Sequence, residues 1–486
     1  VKTIQTAQRN RKTKNTMNHQ PNFKIRNSLF DIRCFFLLFL AACLSSASAN
    51  EKPNIVLIVA DDMGYADIGA TGVKDIRTPN LDRLAREGTF FSDAYVTGPI
   101  CVPSRMGIFM GRHQARWGVY TNSHGYVESH QRATAAETTI AEFLKQAGYA
   151  TALFGKWHLC GQSKFPPVEG GQPEDNGFDE VEVIFGGMAP FWKGTPLYQA
   201  GGNKVEAPEY LTDHFGNLSA DFVKRKKDGP FFLALTFNAV HAPLHALEED
   251  QAKYDEITHM DRRTYAAMLD SMDKNIGRVL DTLDQLGLAG NTLVAFLSDN
   301  GGPAHDAPGH SYNMADNGPL RGHKFDVWEG GIRSPMILKW PDRIPAGKRY
   351  DGLSSSMDLA ATFLAAAGLP APTDRALDGV NLLPFVNGKQ GGEPHEWLAW
   401  AADRGRGVDA ALRRGDWKIV QPKTGRGGPE PEAWELYHLT EDIGEARNLA
   451  AEHPDRVKQM AALFSQWRAE MGTALFGVWK PAESKK

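Results

Sequence analysis

Two adjacent carboxylates, Asp61 and Asp62, follow directly on the apolar run NIVLIVA at 54–60. In open α/β sheets ligands bind at the carboxyl ends of strands, and paired carboxylates there are costly unless a cation compensates them. Alone, the pair fits a solvated turn equally well. Asp299-Asn300-Gly301 repeats the arrangement after a second apolar run, TLVAFLS at 292–298. The carboxylates and the amide oxygen together form a set of mixed charge that suits a hard cation such as Ca²⁺ or Mg²⁺. A further Asp-Asn-Gly, Asp316–Gly318, stands in a Gly/Pro-rich stretch with no strand before it and reads as a turn.

Four cysteines are present: Cys34, Cys43, Cys101 and Cys160. The first two fall in an N-terminal apolar segment. Cys101 and Cys160 could form a disulfide, sit as buried thiols, or leave Cys101 for chemistry. Cys101 opens the run Cys101-Val102-Pro103-Ser104-Arg105. Pro103 suits the first turn of a helix, which would place Cys101 at a helix N-terminus where anions are favoured. Arg105 could then neutralise an oxyanion or an oxidised Cys101 side chain.

The elements that must carry these groups are legible. NIVLIVA, FFLALTF at 231–237 and TLVAFLS are continuous apolar runs, as in a parallel sheet buried on both faces; YATALF at 149–154 is a further strand. Thr78-Pro79 reads as an N-cap and first helical residue, with Leu81, Leu84 and Ala85 as the apolar stripe. Helices are expected over 137–147 and 261–286, ended by Gly148 and Gly287. Alternating buried strands and amphipathic helices predict an α/β sandwich. After about residue 390 the segments near 397–402, 409–414, 416–421 and 434–439 are short and separated by Gly or Pro, which predicts a small antiparallel sheet with a helix near 454–470 packed on it.

At 486 residues and 42% hydrophobic content the chain can bury a large core. Residues 34–44, CFFLLFLAACL, have signal-peptide length; Arg26 and Arg33 precede them and Ala47-Ser48-Ala49 follows as a cleavage site. Leu40-Ala41-Ala42-Cys43 also resembles a lipobox, so export as a soluble protein and tethering through a lipidated Cys43 both stand, with cytoplasmic retention a third reading. Removing residues 1–49 removes eight Lys/Arg and one Asp, which moves the formal charge from −4 to about −11. Such a surface does not suggest nucleic-acid binding, and any anionic substrate needs a local positive site.

Cys101-Val102-Pro103-Ser104-Arg105 resembles the signature of the formylglycine-dependent sulfatase family, in which a maturation enzyme converts the cysteine to Cα-formylglycine. The resemblance spans most of 53–470: Asp61-Asp62, Gly155-Lys156-Trp157-His158-Leu159, His241 in HAPLHA, Asp299-Asn300-Gly301 and Lys324 in LRGHKFDVWEGG all match family positions. RRGDWKIV and ELYHLTEDIGEARNLA resemble the family's small terminal domain. Cys160 departs from the usual Gly and would crowd the backbone near His158; the loop from His305 to Arg321 does not align throughout.

The resemblance implies an α/β, alkaline phosphatase-like fold: a large central, mostly parallel or mixed sheet sandwiched by helices, with a small C-terminal α+β subdomain. Residues 1–49 are then a signal region, 50–390 the catalytic domain and 391–486 the subdomain. It implies one Ca²⁺ held by Asp61, Asp62, Asp299, Asn300 and the formylglycine from Cys101. Arg105 and Lys156 would hold the aldehyde hydrate. Lys324 and His241 would contact sulfate, one of them protonating the leaving alcohol, and His158 would drive sulfate release. The substrate would be a sulfated carbohydrate or other small sulfate ester, approached by loops 159–215 and 303–320, whose Trp192, Tyr198 and Tyr312 could stack on sugar rings or only pack the loops. A formylglycine-dependent phosphonate or phosphate ester hydrolase, and a non-catalytic glycan-binding protein on the same scaffold, are the alternatives.

Overall fold

Uninterrupted apolar, β-branched runs cannot leave a face to water, so they belong in the centre of a sheet covered on both sides. A computed structural model of the protein describes residues 52–122, 134–159, 170–303, 314–403, 408–422 and 433–472. The expected signal region, Cys160, His305 and Tyr312 lie outside these residues. NIVLIVA forms β1 (Asn54–Ala60), wholly buried. In chain order there follow β2 (Thr89–Phe91), β3 (Ala94–Tyr95), β4 (Ala150–Lys156), β5 (Glu180–Ile184), β6 (Pro196–Gln199), β7 (Asn203–Glu206), β8 (Phe231–Thr236), β9 (Thr292–Ser298), β10 (Met336–Lys339) and β11 (Lys348–Tyr350). Ten of these strands make one mixed sheet in the order β11-β2-β10-β9-β1-β8-β4-β5-β6-β7. Its centre, β9-β1-β8-β4-β5, is parallel throughout, so five strands end on one edge.

Among the described residues seven longer helices accompany the sheet: α1 (Pro79–Glu87), α2 (Cys101–Met110), α3 (Ile140–Gln146), α4 (Leu211–Lys226), α5 (Met260–Gln285), α6 (Asp358–Ala366) and α7 (Pro454–Glu470). The two-residue period of β1 divides its side chains between two cores. Ile55, Leu57 and Val59 meet Met106 and Phe109 of α2, Leu144 of α3 and Phe363 of α6. Val56 and Ile58 face Leu84 of α1, Phe222 of α4 and Met272 of α5. The expected α/β sandwich is therefore present.

The expected small sheet is also present: β12 (Ser354–Ser355) pairs with β3, and β13 (Leu398–Asp403), β14 (Val408–Arg414), β15 (Trp417–Gln421) and β16 (Glu435–His438) form an antiparallel meander. One face packs on α7 through Leu412, Ile419, Phe464 and Trp467. The other packs through Trp400, Val420 and Tyr437 on Tyr95, Val327 and Ile332.

One local expectation needs correction. Thr78 stands at the N-cap of α1 but makes no capping hydrogen bond. Its hydroxyl bonds Asp82 instead, and the helix's free N–H groups at Asn80 and Leu81 donate to Asp273 of α5, at 3.0 and 2.8 Å. A carboxylate from a neighbouring helix outcompetes the local hydroxyl because it satisfies two donors at once.

His395 Nε2 lies 2.7 Å from Asp358 Oδ1 at the start of α6. Burial lowers the imidazole pKa, but the Asp358 carboxylate outweighs it and the net shift is upward from 6.5. A raised folded pKa stabilises fully below the unfolded value and loses that contribution as pH rises through the folded one. His395→Gln should destabilise by roughly 1–3 kcal/mol below pH 6.5, and progressively less at higher pH. Urea unfolding of both proteins across pH checks this, and a gap that widens with pH would overturn it.

Candidate active site

The ends of four parallel strands deliver the site. Asp61 and Asp62 follow β1, Asp299 and Asn300 follow β9, Lys156 ends β4, and His241 follows β8. All three carboxylates are buried, and each has a buried cation: Lys156 Nζ at 2.5 Å from Asp61, Lys324 Nζ at 2.7 Å from Asp62 and Arg105 Nε at 2.8 Å from Asp299. Cys101, the first residue of α2, is a buried thiol with no disulfide among the described residues. Its Sγ lies 3.5 Å from Lys156 Nζ, 3.6 Å from Lys324 Nζ and 3.7 Å from Asp61 Oδ1. The structure thus brings Cys101, Arg105, Lys156, Lys324, His241, Asp61, Asp62, Asp299 and Asn300 together.

Burial sets the protonation states. It pushes the Cys101 thiol up to about 11, against the pull of Lys156 and Lys324, with Asp61 and Asp299 adding to the rise. It raises Asp299 to about 6, Asp61 adding to the effect and Arg105 opposing it. Burial would raise Asp62 too, but the Lys324 ammonium holds it well below the usual carboxylate range. His241 falls to about 3 through burial, although Asp62 opposes this. His158 falls well below 6.5 through burial and the nearby Lys156 and Arg105 charges.

Backbone geometry is unusual here. Asp62, His158 and Phe325 have φ of 62°, 57° and 80°, a conformation costing on the order of 1–3 kcal/mol and held only where its surroundings over-determine it. Gly155 (φ 124°) allows β4 to lie against β8: a Cβ there would sit 1.8 Å from the Thr236 carbonyl oxygen. This carries the strand through Lys156, two residues beyond the expected end at 154, and Thr236 Oγ1 and Arg105 both donate to the Lys156 carbonyl at 2.8 Å. Gly301 is similarly required, since a Cβ would meet the Gly330 carbonyl oxygen at 1.8 Å.

Several atoms are arranged for a cation. Asp61, Asp62, Cys101 and His241 offer ligand atoms all within 4.8 Å of one another. Asn300 Oδ1 is buried and accepts no hydrogen bond among the described residues, while Asn300 Nδ2 donates to Asp62 at 2.7 Å. His241 Nδ1 faces the Ala242 carbonyl oxygen at 2.6 Å. A carbonyl only accepts, so Nδ1 carries the proton and Nε2 presents a lone pair to Asp62 Oδ2 at 3.4 Å. Two acceptors so placed call for a proton or a cation between them. Asp299 also serves the frame: its Oδ2 is engaged by Arg105, and its Oδ1 accepts from the Asp62 N–H at 3.3 Å.

Some contributors escaped the sequence reading. Asn238 is buried with both side-chain polar atoms unbonded among the described residues; its only signal was its place just after an apolar run. Asp67 binds the N–H groups of Gly64 and Asp316, both at 3.0 Å, and Tyr265 Oη at 2.6 Å, fixing the turn after Asp62. Asp316–Gly318 is a turn as expected, with Gly318 N–H on Asp316 Oδ1 at 2.8 Å, and Asn317 also clasps both backbone groups of Gly302. Tyr198 is buried and packs on Phe185, whereas Trp192 is 41% exposed and stacks on His245, centroids 5.2 Å apart.

A parallel α/β sheet whose strand ends gather acids and cations around one helix N-terminus defines an enzyme of anionic substrates. The model of the sulfatase family matches residues 53–369, and that of the N-sulphoglucosamine sulphohydrolase C-terminal region matches 323–470. The chain belongs to the sulfatase family and is a sulfuric ester hydrolase. It is 36% identical over 374 residues to N-acetylgalactosamine-6-sulfatase of Canis lupus familiaris, covering 73% of this chain and 70% of that protein. It is similar to the solved structure of Ps i-CgsB in complex with k-i-k-neocarrahexaose, with TM-score 0.78 and 33% identity over 88% of this chain and 95% of that one. A phosphonate monoester hydrolase of Agrobacterium radiobacter shares the fold alone, with TM-score 0.62 and 20% identity over 87% and 97% of the two chains.

If the strand-end oxygens bind a hard dication, Ca²⁺ or Mg²⁺ should raise the melting temperature, by an amount equivalent to about 2.7 kcal/mol at a hundredfold excess over Kd. Asp61→Asn should abolish most of that response in a thermal-shift titration. A variant retaining the full shift would remove Asp61 from the ligand set.

Proposed function

We propose that the protein hydrolyses sulfate monoesters of a carbohydrate, with a formylglycine made from Cys101 as nucleophile and one Ca²⁺ bound beside it. The observation that carries this reading is the seat of Cys101, at the first residue of a buried helix, between two lysine ammonium groups and beside Asp61. As a thiol the side chain is neutral at physiological pH, because burial lifts its pKa to about 11, and a protonated thiol is a poor nucleophile. An oxygen function at residue 101 suits a hard cation better than sulfur does. Asp61, Asp62, Asp299 and Asn300 would supply the other oxygens.

A bound Ca²⁺ would neutralise sulfate charge and lower the pKa of the attacking hydroxyl. The hydrated aldehyde would supply one hydroxyl to attack sulfur and a second whose deprotonation expels sulfate. Lys156 and Arg105 hold residue 101. Arg105 Nη2 is buried without a hydrogen bond among the described residues, so it has a donor to spare. His158 is kept neutral by burial, and its Nδ1 has no hydrogen-bond partner among the described residues, which fits a base that takes the second hydroxyl's proton. His241 commits its one proton to the Ala242 carbonyl. Lys324, whose protons are held on Asp62 and beside residue 101, is the better acid for the leaving oxygen.

The carbohydrate part of the proposal draws on the relatives' names and on Trp192, exposed on the His245 stack four residues beyond His241. Such a ring suits stacking on a sugar. Export, with cleavage after Ala49 or lipidation at Cys43, belongs to the same reading, as does a maturation enzyme acting on Cys101 before it is enclosed.

The mass of the tryptic peptide Glu87–Arg105 from native protein should correspond to formylglycine at residue 101, and Cys101→Ser should fold and lose turnover. An unmodified cysteine, from a host that matures other sulfatases, would overturn the nucleophile. Lys324→Ala should slow a sugar sulfate by roughly 10²–10⁴-fold and a nitrophenyl sulfate much less, because the latter's leaving group needs no proton. Equal losses on both would remove Lys324 as the acid.

A further inference from the structure

We propose that Lys418 and Glu445, on the C-terminal sheet and the segment after it, are positioning residues that act through Glu329 to hold Lys324 against residue 101. The inference rests on the role given to Lys324 above. Lys418 Nζ stands 2.9 Å from Glu329 Oε1 and 2.9 Å from Glu445 Oε1, and none of the three is exposed. Glu329 lies five residues after Lys324 and opens the helical turn Glu329–Ile332. Glu445 grips that loop at both ends: its Oε2 accepts the Glu329 N–H at 2.8 Å, and its carbonyl accepts Arg321 Nη1 at 2.7 Å. Arg321 in turn lies over the Trp328 ring, 3.7 Å from the centroid.

The inner side of the same loop is tied to the site. Lys324 N–H donates to Gly302 O at 3.0 Å, Phe325 N–H to Pro99 O at 2.8 Å, and Gly301 N–H to Gly331 O at 3.1 Å. The loop is therefore clamped between the C-terminal sheet and the two segments that lead to Cys101 and from Asp299. Glu329 is also gripped by Tyr95 Oη at 2.6 Å and Arg333 Nη1 at 3.1 Å. Glu445 depends on Lys418 in particular. Burial pushes its carboxyl up to about 7, Lys418 opposes the rise and Glu329 adds to it. Without the ammonium, the bridge between the two carboxyls is lost, and their crowding is relieved only by their parting or by Glu445 taking up a proton. The Arg321–Glu329 loop would lose its outer clamp, and Lys324 its fixed reach to the leaving oxygen. A displacement of about 1 Å is enough to slow chemistry about 100-fold.

The test is a double-mutant cycle on the mature enzyme. Lys418→Met should lower kcat/KM on a sugar sulfate by roughly 10- to 100-fold and, like Lys324→Ala, slow a nitrophenyl sulfate much less. In a Lys324→Ala background it should cause no further loss. Circular dichroism and melting establish that each variant is folded at the assay temperature. If Lys418→Met does not fold, Glu445→Ala goes through the same cycle, since it removes the side-chain acceptor of the Glu329 N–H and keeps the backbone carbonyl that binds Arg321. Full activity in the single variant, or the same loss in both backgrounds and on both substrates, would overturn the proposal. If Lys324→Ala is itself fully active, the assignment of Lys324 fails, and that outcome is read separately.

Discussion

Two like charges 4 Å apart repel by roughly 4 kcal/mol at an effective dielectric of about 20, and this chain buries three carboxylates at the ends of two adjacent strands. The parallel register makes the crowding unavoidable. Ala60 pairs with Ser298 across β1 and β9, the Asp299 N–H donates to the Ala60 carbonyl at 3.0 Å, and the acids that follow emerge side by side. Everything around them answers that constraint. Arg105, Lys156 and Lys324 come from α2, from β4 and from a loop after residue 320, each to a different carboxylate. Removing one cation would leave an uncompensated buried charge, so these three pairs are the site's condition of existence as well as its reagents.

The same convergence explains why three of the five non-glycine residues with positive φ among the described residues, Asp62, His158 and Phe325, gather here. Asp62 and His158, each two residues beyond its strand, adopt the left-handed region, which breaks the face-to-face alternation that an extended chain would continue. The sheet holds them there: Asp61 exchanges hydrogen bonds with Ala239 and Val240 beyond β8, both at 2.9 Å, and Asp67 fixes the turn from below. Four strand ends and one helix start make a rigid frame, and rigidity is what electrostatic stabilisation of a transition state requires.

Much of this frame was legible because it follows from periodicity. NIVLIVA and TLVAFLS could only be central strands, and their acids could only lie at one sheet edge. Lys324 and His241 were found through the family resemblance; their spacing alone carries no such message. What stayed hidden depended on partners distant in sequence. Asp273 displaces Thr78 as the cap of α1 from a helix almost two hundred residues on. The flanking strands β2, β10 and β11 are three or four residues long, too short for any period to show. Lys418 and Glu445 belong to motifs that resembled a terminal domain, yet nothing in either motif announces a buried charge, because the carboxylate that Lys418 meets lies 89 residues before it.

The charge balance at the strand ends bears on how an anion could be bound at all. The chain from residue 50 carries a formal charge of about −11, so its surface field opposes an approaching sulfate ester, and attraction must arise locally. Three buried cations matched to three carboxylates leave the pocket near neutral, with each ammonium spent on an aspartate. On the proposed reading, a dication shared by Asp61, Asp62 and Asp299 relieves Lys156 and Lys324 of that duty and leaves two net positive charges. The lysines would then be available to residue 101 and the ester, and both ammonium groups already stand within 3.6 Å of Cys101 Sγ. Cation and anionic substrate would thus favour each other's binding, and by linkage the coupling must run equally in both directions.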